Sequence, residues 1–306
     1  MHIIITGGAG FIGSHLCELL LEKGDKVIVV DNLTTGKLTN LPQHPDLSLI
    51  QKDILTCQAT DFPQSIDGIV HLAATPSVNT SWLKPLEIHQ NNLSSTLVVI
   101  ELCQALKIPK LVFASSAAVY GNPIKLPVTE SHSTQPLSPY GLQKLCSEQY
   151  LNLFAQKYNF SAVNLRFFNA FGSRQDPNSP YSGVISIFVN AMKKNLPITI
   201  FGNGKQTRDF IYVKDIVNGL YQALIKPIQP GHSLTCNLAR GQKTSLLELI
   251  NILRNCFPQW IYSVNFAPAR LGDIIHSQAD ISMALSELEF KPNWDIELAF
   301  SDFLNY

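Results

Sequence analysis

An excess of charge of either sign is missing from this 306-residue sequence: 23 lysines and arginines offset 23 aspartates and glutamates. With no basic excess and no basic run, the charge pattern argues against a phosphate backbone as the main partner, so no nucleic acid is expected. Long apolar runs are missing too. None approaches the roughly 20 residues that cross a bilayer, so no membrane partner is expected. The six cysteines (Cys17, Cys57, Cys103, Cys146, Cys236 and Cys256) form no CxxC and no finger spacing, which argues against a metal centre. Most stand in apolar runs, as small buried thiols of a reducing compartment would. Met1 runs directly into a strand-like stretch at 2–6, leaving no room for a charged leader and signal core. The expected location is therefore cytoplasmic. Internal repeats and low-complexity linkers are also lacking.

What is present is a large apolar fraction, 45%, against 15% charged residues, enough to bury an extensive core. Short β-rich runs at 2–6, 26–30, 48–51, 68–72, 110–115 and 161–167 alternate with helical patterns at 11–23, 85–106 and 139–158. That alternation predicts an α/β fold with a parallel, doubly wound sheet. The strand runs are nearly unbroken apolar sequence, as when helices cover both faces. After Phe168 the rhythm loosens, with helical patterns at 183–194, 244–256 and 281–288 and strands at 235–238 and 262–265. The predicted plan is a nucleotide-binding domain over 1–168, with 209–241 returning to it. Residues 169–208 and 242–306 would form a smaller C-terminal α/β cap that binds substrate.

Gly7, Gly10 and Gly13 stand three apart, after the first strand and before an apolar helix. Glycines there permit a tight turn, backbone approach to a pyrophosphate and close helix–strand packing, while the helix N-terminus presents free N–H groups. In this setting the pattern reads as a Rossmann dinucleotide turn rather than an ordinary one. Asp31 lies 18 residues beyond Gly13, at the end of the second strand, where an acid can accept hydrogen bonds from the adenosine ribose. No arginine occupies 32–36 to hold a 2′-phosphate, which favours NAD over NADP. Asp53-Ile54 follows the third strand; it would bracket the adenine or be an ordinary loop pair.

Tyr140 and Lys144, four apart, share one face of a helix. A neighbouring cation favours the phenolate, so Tyr140 is expected to titrate below its usual value of about 10 and serve as a base. Ser115-Ser116 closes the preceding apolar strand, and a hydroxyl there can bridge a substrate hydroxyl to the tyrosine oxygen. Helix start and strand end together mark the place where open parallel sheets bind ligands.

With these residues in hand, the sequence resembles the extended short-chain dehydrogenases/reductases, in particular the UDP-hexose 4-epimerases. The likeness spans essentially the whole chain. It is carried by TGGAGFIGSH at 6–15, DNL at 31–33, LAA at 72–74, FASSAAVYG at 113–121, YGLQK at 140–144, LRFFNAFG at 165–172, QTRDFIYVKD at 206–215 and RLGDIIHSQAD at 270–280. The resemblance implies Ser116, Tyr140 and Lys144 as the catalytic trio. It implies an NAD site that, beyond the glycines, includes Phe11, Ile12, Asp31, Asn32, Asp53, Ile54, Leu72, Ala73, Ala74, Asn91, Tyr140, Lys144 and Phe168. For the UDP-sugar it implies Ser116, Asn169, Thr199, Phe201, Arg208, Arg270, Asp273 and Ser277. Thr199 also reads simply as a strand residue and Asp209 as a loop-orienting acid, while the role of Arg174 stays open, fixing the cap loop being one reading. The family further implies a homodimer through the helices at 85–106 and 139–158, and a redox-neutral exchange at sugar C4 through a 4-keto sugar.

Two local features narrow the family. Sugar 4,6-dehydratases carry an acid just after the active-site hydroxyl to expel the C6 hydroxyl; here the positions are Ala117 and Ala118. Ser277 stands at the family's gatekeeper position, where tyrosine closes the pocket to N-acetyl groups and serine leaves room, and the loop over 175–185 resembles those of N-acetyl-accepting members. UDP-GlcNAc and UDP-GalNAc are thus expected substrates alongside UDP-Glc and UDP-Gal. The nearest rival is a UDP-glucuronate 4-epimerase, which needs cations beyond Arg174 for the carboxylate. The rival of another class is a non-catalytic NAD-binding module.

Overall fold

The computed structural model describes residues 1–176, 183–269 and 274–304. The first half comprises β1 (His2–Thr6), α1 (Phe11–Glu22), β2 (Lys26–Val30), β3 (Leu47–Ile50), β4 (Gly68–His71), α2 (Val78–Leu83), α3 (Pro85–His89), α4 (Ser95–Ala105), β5 (Lys110–Ser116), α5 (Pro139–Tyr158) and β6 (Ser161–Phe167). The second half adds β7 (Asn169–Phe171), α6 (Val184–Lys193), β8 (Ile198–Phe201), β9 (Thr207–Tyr212), α7 (Val213–Ile225), β10 (Ser233–Leu238), β11 (Lys243–Ser245), α8 (Leu246–Cys256), β12 (Val264–Ala267), α9 (Ser282–Leu288) and α10 (Ile296–Leu304).

Seven strands form one sheet in the order β10-β6-β5-β4-β1-β2-β3, every neighbouring pair parallel. This is the doubly wound order of a Rossmann fold. Ile3, Ile4 and Ile5 are wholly buried because α1 and α7 cover one face of β1 and α4 covers the other. Burying each such side chain stabilises the fold by about 2 kcal/mol. The winding reverses between β1 and β4, and their carboxyl ends open a crevice.

From the second half of the chain, β10 joins the large sheet beside β6, with Ser233 opposite Ala162. The remaining strands, drawn from both sides of β10 in the chain, form two small sheets: β9 between β7 and β11, and β8 beside β12. α6, α8 and α10 pack on them around Phe171, Phe188, Tyr212 and Phe300. Phe11 and Ile12 of the glycine turn lean on this same apolar cluster.

The single helix expected over 85–106 is interrupted. α3 and α4 are joined by a wide π-type turn at Gln90–Ser94. Ser95 and Thr96 donate their hydroxyls to the Asn91 and Asn92 carbonyls at 2.7 and 2.8 Å, and Asn92 turns inward to accept from the Thr75 N–H at 2.7 Å. Side-chain bonds of this kind compete with the regular ladder and favour such a bulge.

Candidate active site

A cavity of about 740 Å³ runs from the glycine turn along the crevice to the small sheets that carry Thr199, Phe201 and Arg208. At its first end the geometry requires glycine. Gly7 has a positive φ of 73°, and a Cβ on Gly13 would lie 2.3 Å from the Gly7 carbonyl oxygen. The buried Asp31 carboxylate accepts from the Ala9 N–H at 2.9 Å and the Leu33 N–H at 2.8 Å, which turns it toward the glycine loop. Asn32 donates to Asp53 at 2.9 Å, and Asp53 also caps the turn that begins at Ile54 by accepting from the Leu55 N–H. Leu72, Ala73 and Ala74 close the other side of the crevice after β4, and Asn91 donates to the Thr75 hydroxyl at 3.1 Å. A glycine-rich turn, a helix N-terminus and a strand-end carboxylate fit a dinucleotide.

Midway along the cavity stand Ser116, Tyr140 and Lys144. β5 delivers Ser116 at its last residue. α5 delivers Tyr140 and Lys144 from its first turns, started by Ser138, whose hydroxyl accepts from the Gly141 N–H at 3.1 Å. Ser116 Oγ accepts from the Ala118 N–H at 3.2 Å and hydrogen-bonds Tyr140. Ser115, by contrast, points away and is held by Glu148 at 2.5 Å. Of the two serines, only Ser116 reaches the tyrosine.

The expected depression of Tyr140 is reversed: burial raises its phenol above the usual value, against the opposing effect of the Ser116 hydrogen bond. Lys144 is itself buried, which lowers its ammonium to about 7. Its Nζ donates to the Ala114 carbonyl at 2.7 Å and lies 4.7 Å from the centre of the Phe113 ring. Desolvation of both groups outweighs the attraction that the four-residue spacing suggests.

Toward the small sheets, Phe168, Asn169, Thr199, Phe201 and Arg208 line the same cavity. Asn169 Nδ2 donates to the Asp209 carbonyl at 3.1 Å, and Arg208 Nη1 to the Thr207 carbonyl at 2.9 Å. Asp209 orients its loop by accepting from the backbone N–H groups of Arg240, Gly241 and Ala279. Ser277 is not part of the cavity wall; its N–H donates to the Thr207 carbonyl at 3.1 Å. Arg270 and Asp273 lie outside the described residues, as does most of the loop assigned to 175–185. Sequence reasoning missed Thr75, Gln175 and Gln206, polar residues of the cavity wall. Thr75, next to LAA, was within reach of the strand-end rule. Gln206, which donates to the Phe201 carbonyl at 2.6 Å, opens the QTRDFIYVKD stretch and was given no role there.

Among the described residues, no cluster of three potential metal ligands occurs and no helix is long and apolar enough to cross a membrane.

The sequence model of the NAD dependent epimerase/dehydratase family matches residues 3–239. A putative UDP-glucose 4-epimerase of Methanocaldococcus jannaschii is 37% identical over 310 residues, covering 99% of this chain and 97% of the relative. Among solved structures, the UDP-N-acetylglucosamine 4-epimerase of Methanobrevibacter ruminantium, in complex with UDP-N-acetylmuramic acid, superposes with a TM-score of 0.93 at 36% identity, covering 99% of this chain and 98% of that one. The UDP-glucose 4-epimerase of Thermotoga maritima, with UDP-glucose, gives 0.94 at 32% identity, covering 100% and 98%.

Proposed function

Because the chain belongs to the NAD dependent epimerase/dehydratase family, we propose that it is a UDP-hexose 4-epimerase. We further propose that it accepts UDP-GlcNAc and UDP-GalNAc as well as UDP-Glc and UDP-Gal. The observation that carries the reading is the junction of Ser116, Tyr140 and Lys144 midway along one cavity, between the dinucleotide turn and the Asn169–Arg208 end. Bound NAD supplies a reversible hydride acceptor at the sugar C4. Tyr140 takes the proton of the 4-hydroxyl, Ser116 bridges that hydroxyl to the phenol, and Lys144 supplies the positive charge that favours the phenolate. The 4-keto sugar then presents its other face, and Tyr140 returns the proton. Arg208 and Asn169 hold the diphosphate, with Phe201 against the uracil. Arg270 and Asp273 are assigned to the same nucleotide by the family pattern.

The division of labour is a cofactor domain over 1–168 and 209–241 and a substrate cap over 169–208 and 242–306. Solvent-exposed Leu142 and Leu153 on α5 support a homodimer through α4 and α5. Free thiols at all six cysteines support a cytoplasmic location. The uronate reading is disfavoured because Arg174 is ion-paired with Glu18. Incubating the pure protein with UDP-GlcNAc, UDP-Gal and UDP-glucuronate without added NAD tests the assignment. Conversion of the first two to their C4 epimers supports it; no conversion of any UDP-hexose by protein shown to contain NAD overturns it.

A further inference from the structure

Lys144 and Glu148, one turn apart on α5, each grip β5 just before Ser116. Lys144 Nζ donates to the Ala114 carbonyl at 2.7 Å, and the Ser115 hydroxyl donates to Glu148 Oε1 at 2.5 Å. Glu148 is only 2% exposed and is itself held from β6: Arg166 Nε donates to Oε1 at 2.9 Å and Nη2 to Oε2 at 2.7 Å. Arg166 Nη1 donates to the Tyr120 hydroxyl at 2.9 Å, which donates to Asn237 of β10 at 2.6 Å. Glu148 and Arg166 do not line the cavity. Apolar residues of similar volume would serve stability as well, since burying two ions costs several kcal/mol each before they attract. Apolar contact is also non-directional, and by itself does not fix which hydroxyl or carbonyl of a strand a helix side chain meets.

We propose that Glu148, clamped by Arg166, is a positioning residue that sets the register of α5 against β5 and so places Ser116 and Lys144 for the reaction. The proposal rests on the epimerase reading for the reaction itself. The two clamps hold Tyr140 and Ser116 within hydrogen-bonding reach, because both ends of that contact sit on the elements they join. Glu148 also favours the ammonium form of Lys144 from one turn away. The other groups around Lys144 do not replace it. His71 of β4 is held neutral by burial, burial raises the Tyr140 phenol, and Arg166 carries the same sign as Lys144.

The test uses the NAD-bearing protein labelled with 13C at lysine Cε, the Lys144 signal assigned by its loss in Lys144→Met. In Glu148→Gln the Lys144 titration midpoint is expected to fall by about one pH unit. Its kcat should drop about 100-fold while KM stays within about twofold, as for a small misplacement of reacting groups. Glu148→Met/Arg166→Met removes both charges together, so it is expected to fold and to show the same loss. A folded double variant with wild-type kcat, or an unshifted Lys144 midpoint in Glu148→Gln, overturns the proposal. If neither variant folds, Ser115→Ala decides through kcat: a fall of about tenfold supports the clamp and wild-type turnover overturns it. A wild-type protein that converts no UDP-hexose defeats the epimerase reading alone, since the lysine titration needs no turnover.

Discussion

Arg174, just after β7, ion-pairs with Glu18 on α1, a residue 156 positions earlier in the chain. One turn before Glu18, the His15 ring nitrogen Nε2 donates to the Ser173 carbonyl at 3.1 Å. The helix that follows the glycine turn therefore also anchors the segment after β7. Arg174 adopts a positive φ of 66°, a conformation that a non-glycine residue keeps only when its surroundings hold it there.

Breaking that anchor is expected to loosen the cofactor. In Arg174→Met, NAD should dissociate about tenfold faster, equivalent to about 1.4 kcal/mol. The rate of loss of bound NAD during dilution and gel filtration measures it. Unchanged retention would show that the ion pair serves the cap alone.

Gly13→Ala puts a Cβ where the Gly7 carbonyl already stands, 2.3 Å away, with the Gly8 Cα at 2.7 Å. Both neighbours are backbone, so the turn itself must move. The variant should be destabilised by about 1–3 kcal/mol and purify without NAD. Urea unfolding and the absorbance of extracted nucleotide check both effects.

Lys144 makes stability depend on pH. Its folded-state value near 7 lies below the ordinary lysine value of about 10.4, so between these two the unfolded chain binds the extra proton. Its contribution to stability thus rises with pH across that window. Lys144→Met abolishes this slope. Relative to wild type it should be more stable at about pH 6.5 than at about pH 9, as urea midpoints at the two values will reveal. A constant difference would mean that Lys144 titrates normally.

Ser277→Tyr tests the gatekeeper expectation, and the location of Ser277 outside the cavity wall makes the test sharp. If a tyrosine from this position reaches the sugar, UDP-GlcNAc turnover should fall about tenfold or more while UDP-Gal turnover persists. Equal turnover of both by the variant removes Ser277 from the specificity argument. Comparative kcat/KM for the two substrates is the measurement.

Much of the fold was legible because its signals are local. The run Ile3-Ile4-Ile5, followed by three glycines at a spacing of three, marks a buried parallel strand and a phosphate turn without any knowledge of neighbours. The helix over 139–158 matched α5 at both ends because Ser138 and Pro139 mark its start. The interruption at Gln90–Ser94 was hidden, since it depends on Asn92 finding Thr75 from another loop.

In the site, the sequence determined which chemistry was available: a hydroxyl at the end of an apolar strand, and a phenol and an amine on one helical face. The residues at the strand end offered two hydroxyls and the family resemblance pointed to Ser116; tertiary structure supplies the physical reason, because Glu148 claims Ser115. Tertiary structure alone decided the state of the buried pair. Neither Tyr140 nor Lys144 behaves as its spacing suggests, because burial acts on each through everything that packs around it. Spacing along a helix reports which side chains are neighbours; the cost of holding a charge there depends on how much water the rest of the chain has removed.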